Sequence, residues 1–391
     1  MKDSTNNPPN DFDEYLRQSE PHQRERAESW KTAIGLQAVD GLKPSEYLVE
    51  TAKRHIEGDI SMEEVRHLID SYYQGKTDRT PEESETEEAD KVSASISRLL
   101  NEKTFTFSPA GYISIHRRIF AGVFSFAGQI RDYNITKKEW VLRGDTVLYA
   151  SAEELRSTME YDFEQESLFD YKGISPDTLV AHFTKFISGL WQIHPFAEGN
   201  TRTTAVFAIK YLRFMGFNVN NDMFADKAWY FRNALVRANY RNYQQGIESD
   251  TEHLQRFFRN VLLGETHELK TRYLRVNSLE ERQKKHTSTV QVAHKNSTSS
   301  MQATDKFAIN NPNLLLLIQT VGEASLSVTE MLAALHLQHR GNFLKTWLTP
   351  AIQSGILRPL YPDTPRHPRQ KYLLSPRGRE MYQQIKTSKR T

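Results

Sequence analysis

Cysteine is absent from the chain of 391 residues. Without thiols the chain cannot form disulfides, use a cysteine nucleophile or bind a metal through thiolate ligands. This absence is typical of proteins in a reducing compartment, and we expect a cytoplasmic protein.

Long apolar runs and an excess of charge of one sign are also lacking. No uncharged stretch approaches the ~18 apolar residues that a membrane span requires, and the polar first residues do not resemble a signal peptide. Lys and Arg number 51 against 49 Asp and Glu, a formal net charge of +2. Such a balance marks neither a nucleic-acid nor a membrane protein, so we expect a soluble protein without a membrane partner.

The spacing of apolar residues predicts a mainly α-helical protein divided into several units. Polar and acidic stretches separate the units, because such stretches bury too little apolar surface to fold by themselves. The predicted segments are a flexible lead at 1–26, a small helical module at 27–74, an acidic linker at 75–91, a large helical domain at 92–275, a polar linker at 276–305 and a last domain at 306–391.

One segment of the large domain differs from its helical surroundings. From Trp140 to Tyr149, two short β-prone stretches flank an Arg-Gly-Asp break. This pattern predicts a β-hairpin that projects from the helical domain.

The last domain has the element order of a winged helix. Helices with a capping box at Ser327 and Glu330 precede two short β-prone stretches, 356–361 and 370–374. A winged helix with a basic wing places cations on DNA phosphates and a helix in the major groove. The candidate cations are Arg340, Lys345, Arg366, His367, Arg369 and Lys371. Docking of another protein is the alternative, because the helix from Phe343 to Ile352 is apolar.

Chemistry concentrates in one loop between two apolar helices. The first helix ends at His194, because the proline that follows disfavours helical geometry there, and a second helix begins after Gly199 and Asn200. The start of a helix exposes unpaired N–H groups and partial positive charge, and it therefore forms a cradle for phosphate. Arg202 on the first turn adds a charge-assisted donor to the same phosphates.

Two side chains of this loop supply reactive groups. Histidine accepts a proton near neutral pH, which makes His194 a candidate general base. The carboxylate of Glu198 is the hard oxygen ligand that Mg²⁺ prefers, with the rest of the metal shell left to phosphates and water. A base, a metal ligand and a phosphate-binding helix start thus lie within one short loop.

The stretch His194-Pro195-Phe196-Ala197-Glu198-Gly199-Asn200-Thr201-Arg202 resembles the motif of the Fic family. The resemblance implies a Fic-type helical core whose β-hairpin is a flap that aligns the target segment by strand addition. It also implies that the base takes the proton of a serine, threonine or tyrosine hydroxyl on a target protein. The hydroxyl oxygen then attacks the α-phosphate of ATP, AMP is transferred and pyrophosphate is released.

The same resemblance implies the roles of individual residues. They are His194 as catalytic base, Glu198 as Mg²⁺ ligand, and Gly199, Asn200, Thr201, Arg202, Asn239 and Tyr240 for the nucleotide. The last two are assigned to the adenine pocket only from their position on a helix downstream of the motif.

The motif departs from the family at two positions. Thr201 stands where the family has glycine, and Ala205 stands where it has a second arginine. Threonine resists positive φ but can cap a helix, which indicates an altered loop. Loss of the arginine removes a donor to the outer phosphates of ATP, so we expect a lower rate or a changed nucleotide preference.

The small helical module resembles the antitoxins that inhibit Fic toxins. Those antitoxins present Ser/Thr-x-x-x-Glu-Gly, whose glutamate pairs with the second arginine, and this chain has Leu36 and Asp40-Gly41 at the matching places. Both halves of the inhibitory contact are altered together, which predicts a weakened or differently built inhibitor. The alternative is that Asp40-Gly41 only ends a helix.

The leading hypothesis is AMP transfer from ATP to a protein hydroxyl. One alternative keeps the fold but transfers UMP, phosphocholine or phosphate. Another is a DNA-binding regulator whose degenerate Fic domain only binds nucleotide. The sequence leaves the target, DNA binding and the oligomeric state open, a homo-oligomer included.

Overall fold

Helices dominate both parts of the computed structural model, which confirms the predicted mainly α-helical class. The structure describes residues 12–75, 80–219, 222–242, 245, 247–276, 312–335, 337, 340–362 and 367–388. The chain divides into two units, Met1–Arg241 with Ser249–Val276 and Asn242–Glu248 with Asn277–Thr391. Within the described ranges, no helix combines the length and hydropathy of a transmembrane span.

Twelve α-helices make up most of the described part of the first unit. They are α1 (Asp13–Gln18), α2 (Pro21–Gly35), α3 (Glu46–Glu57), α4 (Met62–Gln74), α5 (Pro81–Asn101), α6 (Pro109–Phe120), α7 (Leu155–Ser167), α8 (Pro176–Ile193), α9 (Asn200–Phe214), α10 (Asp222–Asp226), α11 (Ala228–Asn239) and α12 (Glu252–Leu263). Hydroxyl side chains fix several of the starts, because each accepts a hydrogen bond from a first-turn N–H group. These caps are Ser45, Ser61, Thr80, Ser108 and Ser175.

The N-terminal helices share a core with α5. Trp30 of α2 is fully buried and donates from Nε1 to His55 Nδ1 of α3 at 3.1 Å. Phe12, before α1, is buried in the same cluster, which also includes Ala94 of α5. Residues 12–26 of the predicted flexible or loosely helical lead contain α1 and the start of α2, and Phe12 anchors them in this core. The earlier residues lie outside the described ranges.

The acidic stretch predicted as a linker is the first half of α5 from residue 81 onward. Thr80 Oγ1 accepts from the Glu83 N–H group at 3.2 Å, and the Glu83 carboxylate accepts from the Thr80 N–H group at 3.1 Å. Acidic residues in the first turn also stabilise the positive end of the helix. The linker prediction failed because the acidic run was interpreted as solvated chain, whereas it caps a helix that buries Ala89 and Asp90.

The predicted β-hairpin is a chain reversal without strands in the described structure. Residues Trp140–Leu142 form a 3₁₀ turn, and the Glu139 N–H group donates to the Asp145 carbonyl at 2.9 Å. Backbone groups beyond the turn bind side chains instead of an opposite strand. The Leu148 carbonyl accepts from Gln192 Nε2 at 2.9 Å, and the Ala150 carbonyl accepts from Arg131 at 2.6 Å. We call residues 134–151 the flap segment.

Two helices of the first unit carry the loop that the sequence singles out. α8 and α9 pack against each other, and α9 is buried along nearly its whole length. Aromatic side chains fill the space beside them, among them Phe107, Phe163, Phe186 and Phe207. The loop between α8 and α9 therefore starts and ends on elements with little freedom to move.

The second unit has helices on either side of a small antiparallel sheet. Its described helices are Pro312–Val321, Val328–Ala334, Arg340–Phe343, Thr349–Gln353 and Pro376–Ser388, with a π turn at Leu344–Leu348. Strands β1 (Leu357–Pro359) and β2 (Tyr372–Leu374) pair with Leu357 opposite Leu374. Both strands lie within the predicted β-prone stretches, and the predicted capping box at Ser327 is present. The predicted linker at 276–305 lies outside the described residues except for its first residue, and the winged helix stays a prediction.

We predict that Asp90→Ala lowers the free energy of unfolding by about 2 kcal/mol, because it removes the buried acceptor of three hydrogen bonds. The Asp90 carboxylate accepts from the Ser45 N–H group at 2.8 Å, from Ser45 Oγ at 2.5 Å and from the Tyr73 hydroxyl at 2.7 Å. Urea unfolding measures the difference.

Asp70→Ala is the matched control for this prediction. Asp70 pairs with Lys91 of α5 at 3.2 Å but is half-exposed, so its loss should cost less than about 0.5 kcal/mol. Equal effects of the two substitutions would contradict the assigned role of Asp90.

Candidate active site

His194 stands at the end of α8 in a left-handed backbone conformation. Its φ is 51° and its ψ is 58°, which is uncommon for a residue other than glycine. Arg131 holds this conformation by donating from Nε to the His194 carbonyl at 2.8 Å, and its own N–H group donates to the Pro195 carbonyl at 2.9 Å. The strained residue is therefore fixed from outside its own helix.

The ring of His194 is buried and has one nitrogen free. Nδ1 lies 3.2 Å from the Trp191 carbonyl, and a carbonyl only accepts, so Nδ1 carries the proton. Nε2 then has a lone pair, and it has no hydrogen-bond partner among the described residues. Burial lowers the pKa of His194 well below its ordinary value, with positive charge on Lys137 and Arg131 acting in the same direction. A neutral imidazole with an unpaired Nε2 is the form that a general base requires.

The loop after His194 is held by hydrogen bonds inside the loop. Asn200 Oδ1 accepts from the Phe196 N–H group at 3.0 Å, and Asn200 Nδ2 donates to the Phe196 carbonyl at 2.8 Å. Gly199 has a φ of 78°, and a Cβ atom there would come within 2.3 Å of the Phe120 ring. Position 199 therefore requires glycine. The side-chain amide of Asn200 holds the loop, and the backbone of the same residue begins α9.

His116 on α6 is a site residue that the sequence analysis missed. The Gly128 N–H group donates to its Nδ1 at 2.8 Å, so Nε2 carries the proton and donates to the Glu198 carbonyl at 3.0 Å. The ring stacks on Phe196 with centroids 3.7 Å apart. Burial lowers the pKa of His116 to about 4, which keeps it neutral in this position. Only the fold brings it to a loop about 80 positions later in the chain, so no local sequence signal pointed to it.

Glu198 presents a half-buried carboxylate next to a lysine of the flap segment. Lys137 Nζ lies 3.1 Å from Glu198 Oε2 and 3.4 Å from Oε1, and the Gly199 N–H group donates to Oε1 at 3.0 Å. Burial acts to raise the pKa of Glu198, but the Lys137 charge and the Gly199 hydrogen bond outweigh it and lower the pKa. The carboxylate is thus ionised at neutral pH.

Thr201 occupies the position at which the resemblance leads one to expect glycine. It lies in the first turn of α9, where φ is negative, and its Oγ1 accepts from Trp191 Nε1 at 3.0 Å. The side chain thereby ties the start of α9 to the end of α8.

Arg202 is fully buried, and its guanidinium faces the N-terminal helices. Nη1 donates to Gln37 Oε1 at 3.1 Å, and Nη2 donates to Glu88 Oε1 at 2.8 Å. Nε lies 2.8 Å from Asp40 Oδ2, an ion pair by distance that lacks the alignment of a hydrogen bond. The guanidinium also lies over the Phe120 ring at 4.8 Å. In this arrangement the guanidinium is paired with Asp40 and Glu88, so its predicted contact with phosphate requires that these pairings be released.

Asn239 and Tyr240 bind protein groups around the flap segment. Asn239 Nδ2 donates to the Ser188 carbonyl at 3.0 Å, and the Tyr240 hydroxyl donates to Asp145 Oδ2 at 2.6 Å. Arg232 of α11 adds a second attachment by donating to Glu139 at 2.7 Å. The adenine-binding role of Asn239 and Tyr240 stays a prediction, while their contacts fix the end of α11 and the flap segment.

The cations expected to contact DNA are only partly exposed. His367 and Arg369 are buried, with His367 stacked on Tyr361 at 4.0 Å. Lys371 Nζ lies 3.2 Å from Glu330 Oε1, whereas Arg340 is exposed. Arg366 and the side chain of Lys345 lie outside the description. The described part of this domain therefore exposes fewer of the candidate cations to solvent than the sequence predicts.

Two protein families match this chain. The Fic/DOC family matches residues 106–212, which include the whole loop from His194 to Arg202. The C-terminal domain of Fic-like proteins (filamentation induced by cAMP) matches residues 312–375. Neither match covers half of the chain.

Individual relatives match at low identity. The probable protein adenylyltransferase y4lH of Sinorhizobium fredii is 26% identical over 132 residues, 33% of this chain and 64% of that protein. The match thus covers less than two thirds of that relative. A Fic family protein from Desulfovibrio desulfuricans aligns over 90% of this chain and 87% of its own, with 18% identity and a TM-score of 0.36. The N-terminal Fic domain of a Bartonella effector protein aligns over 47% of this chain and 84% of its own, with 19% identity and a TM-score of 0.38.

We predict that His116 makes the protein less stable as pH falls from about 6.5 to about 4. Its pKa is about 4 when folded against an ordinary value of 6.5, so the unfolded chain binds more protons in this window. Between about pH 6.5 and about pH 4.5, the wild type should lose about 2 kcal/mol more unfolding free energy than His116→Asn. Denaturant unfolding at the two pH values measures this, with the exposed His22→Asn as control. Parallel pH dependences of wild type and His116→Asn would contradict it.

Proposed function

We propose that the protein is an adenylyltransferase that moves AMP from ATP to a serine, threonine or tyrosine hydroxyl of a target protein. The observation that carries this proposal is the buried, unpartnered Nε2 of His194 beside an ionised Glu198 and the start of α9. This set of groups lies inside the Fic/DOC domain. The adenylyltransferase y4lH supports the type of transfer, as a relative at low identity.

The reaction follows from the position of the base. His194 Nε2 accepts the proton of the target hydroxyl, and the hydroxyl oxygen forms a bond to the α-phosphorus of ATP. The bond between that phosphorus and the bridging oxygen breaks, and its electron pair leaves with pyrophosphate. The N–H groups of Asn200, Thr201 and Arg202 have no carbonyl partner within α9, and they can stabilise the charge of the transferring phosphate.

The site offers one protein carboxylate as a ligand for Mg²⁺. No group of three or more His, Asp or Glu side chains suited to a metal occurs in the described part of the chain. A magnesium ion usually has one or two protein carboxylates and takes its other ligands from phosphates and water. Glu198 is ionised and half-exposed and would hold it, provided that Lys137 moves off the carboxylate. The ion would neutralise charge on the nucleotide phosphates when bound.

Labelling with α-³²P-ATP tests the proposed transfer. We predict that the full-length chain labels itself or proteins of a cell extract, and that His194→Ala lowers the label by at least about a hundredfold, because general-base catalysis contributes that much. The exposed His67→Ala should label like wild type. If label came from γ-³²P-ATP, α-³²P-UTP or CDP-choline and not from α-³²P-ATP, the transferred group would be phosphate, UMP or phosphocholine, respectively, and not AMP. Label that persists in His194→Ala would refute the mechanism.

We propose further that the N-terminal helices restrain this activity. Asp40 and Gln37 both lie on the 3₁₀ turn after α2, and both contact Arg202 at the start of α9. Gly41 ends that turn with a φ of 77°, as a helix-terminating Asp-Gly would. The two interpretations of Asp40-Gly41 are therefore compatible, since one turn both ends a helix and delivers a carboxylate to the arginine. An arginine bound in this way cannot bind phosphate.

We predict that Asp40→Ala raises α-³²P-AMP labelling by about tenfold, which is a typical size for the coupling between two sites. Gln37 and Glu88 still hold Arg202 in the absence of nucleotide, so the folded state should persist, while loss of the Asp40 charge lets phosphate compete for the arginine. Initial labelling rates measure the effect, with the exposed Asp59→Ala as control. A rate that is unchanged or lower in Asp40→Ala would mean that the contact only holds the helices together.

The alternative is a DNA-binding regulator that uses the Fic domain only to bind nucleotide. The burial of His367 and Arg369 does not favour it among the described cations. It would gain support if no nucleotide gave label although ATP bound.

A further inference from the structure

The proposed reaction needs positive charge where pyrophosphate leaves. Negative charge grows on the leaving group as the phosphorus–oxygen bond breaks, and positioned cations lower the barrier to such transfers. The position where Fic proteins have a second arginine is Ala205, which is fully buried in α9. Arg202 is committed to Asp40, Glu88 and Gln37. The chain therefore needs another cation at this end of the site.

Lys137 is positioned to supply that charge. Its Nζ is in contact with both oxygens of Glu198, and its side chain is about 30% exposed. Besides the larger effect of burial, the positive charge of Lys137 lowers the pKa of His194, the candidate base. The site thus has a cation on the flap segment that contacts Glu198, separate from the guanidinium of Arg202 and its partners on the N-terminal helices and α5.

The backbone next to Lys137 is anchored while its side chain is free to change partner. Glu139, two residues later, is buried and accepts from Arg232 at 2.7 Å and 3.2 Å. The lysine side chain, in contrast, has a flexible stem and three donors that rotate. Like charges repel, so a cation bound at Glu198 would drive Lys137 off the carboxylate and toward the phosphates.

We propose that Lys137 binds the pyrophosphate end of the nucleotide and replaces the arginine that is missing at position 205. Glu198 holds the lysine until nucleotide arrives. During transfer Lys137 donates hydrogen bonds to the leaving pyrophosphate and forms no covalent bond, so the proton balance stays as described above. The inference rests on the proposed AMP transfer, but its binding step can be measured without any turnover.

The test measures binding of ATP, pyrophosphate and AMP with Mg²⁺ to the full-length chain by calorimetry, in a His194→Ala background. We predict that Lys137→Met weakens ATP and pyrophosphate binding by about tenfold or more, the worth of one charge-assisted contact, and changes AMP binding by less than about twofold. Lys137→Arg should restore most of the affinity. Lys138→Met is the matched control, because Lys138 is the exposed neighbour on the same segment.

Three results would overturn the proposal. The first is unchanged affinities in Lys137→Met. The second is an equal loss of AMP affinity in Lys137→Met, which would indicate a general effect on the loop. The third is an equal loss of ATP and pyrophosphate affinity in Lys138→Met, which would indicate a nonspecific effect of charge. Failure of the proposed function has a different signature, since the wild type would give no His194-dependent label whatever the binding data show. A kinetic measurement in the active enzyme adds a second readout. Lys137→Met should raise the KM for ATP and lower kcat while leaving the KM for the target protein unchanged.

Discussion

The buried guanidinium of Arg202 connects the main parts of the first unit. A charge removed from water is tolerated only when it is paired and hydrogen-bonded, and Arg202 finds Gln37, Asp40 and Glu88 on two different elements. These contacts join α9, the turn after α2 and the helix α5. Because Arg202 also belongs to the first turn of α9, the packing of the N-terminal helices and the state of the loop proposed to bind phosphate depend on the same side chain.

The loop from His194 to Arg202 is held by polar groups from outside it as well as from within. Arg131 binds the carbonyl of His194, and His116 binds the carbonyl of Glu198. Within the loop, the Asn200 side chain forms hydrogen bonds with both the N–H group and the carbonyl of Phe196. Such a fully bonded buried network has few alternative arrangements. It holds His194 in a strained conformation with Nε2 unpaired, which is a state that an unsupported loop would not keep.

Local patterns in the sequence sufficed for the helical class, the loop between α8 and α9 and the position of the two strands. They failed where the outcome depended on distant partners. The acidic residues before Ala89 look like a linker until the N-terminal core is known, because that core buries the inner face of α5. The flap segment has β-prone residues, but its backbone groups are taken by Arg131 and Gln192. His116 and Lys137 belong to the site through contacts that span about 60 to 80 positions, and no periodicity or spacing encodes such contacts.

The substitutions at positions 40 and 205 are consistent with a contact that has moved along one helix. Ala205 lies three residues after Arg202, which is about 4.5 Å along the axis of α9. Pairing Asp40 with Arg202 therefore shifts the ion pair about one turn toward the helix start, where the N–H groups proposed to bind phosphate lie. In the proposed restraint, pairing with an arginine at position 205 would affect only the outer phosphates, whereas the Asp40 contact withdraws Arg202, a donor of the proposed phosphate site itself. Charge for the outer phosphates then has to come from outside α9, and the flap segment is the element next to Glu198 that carries it.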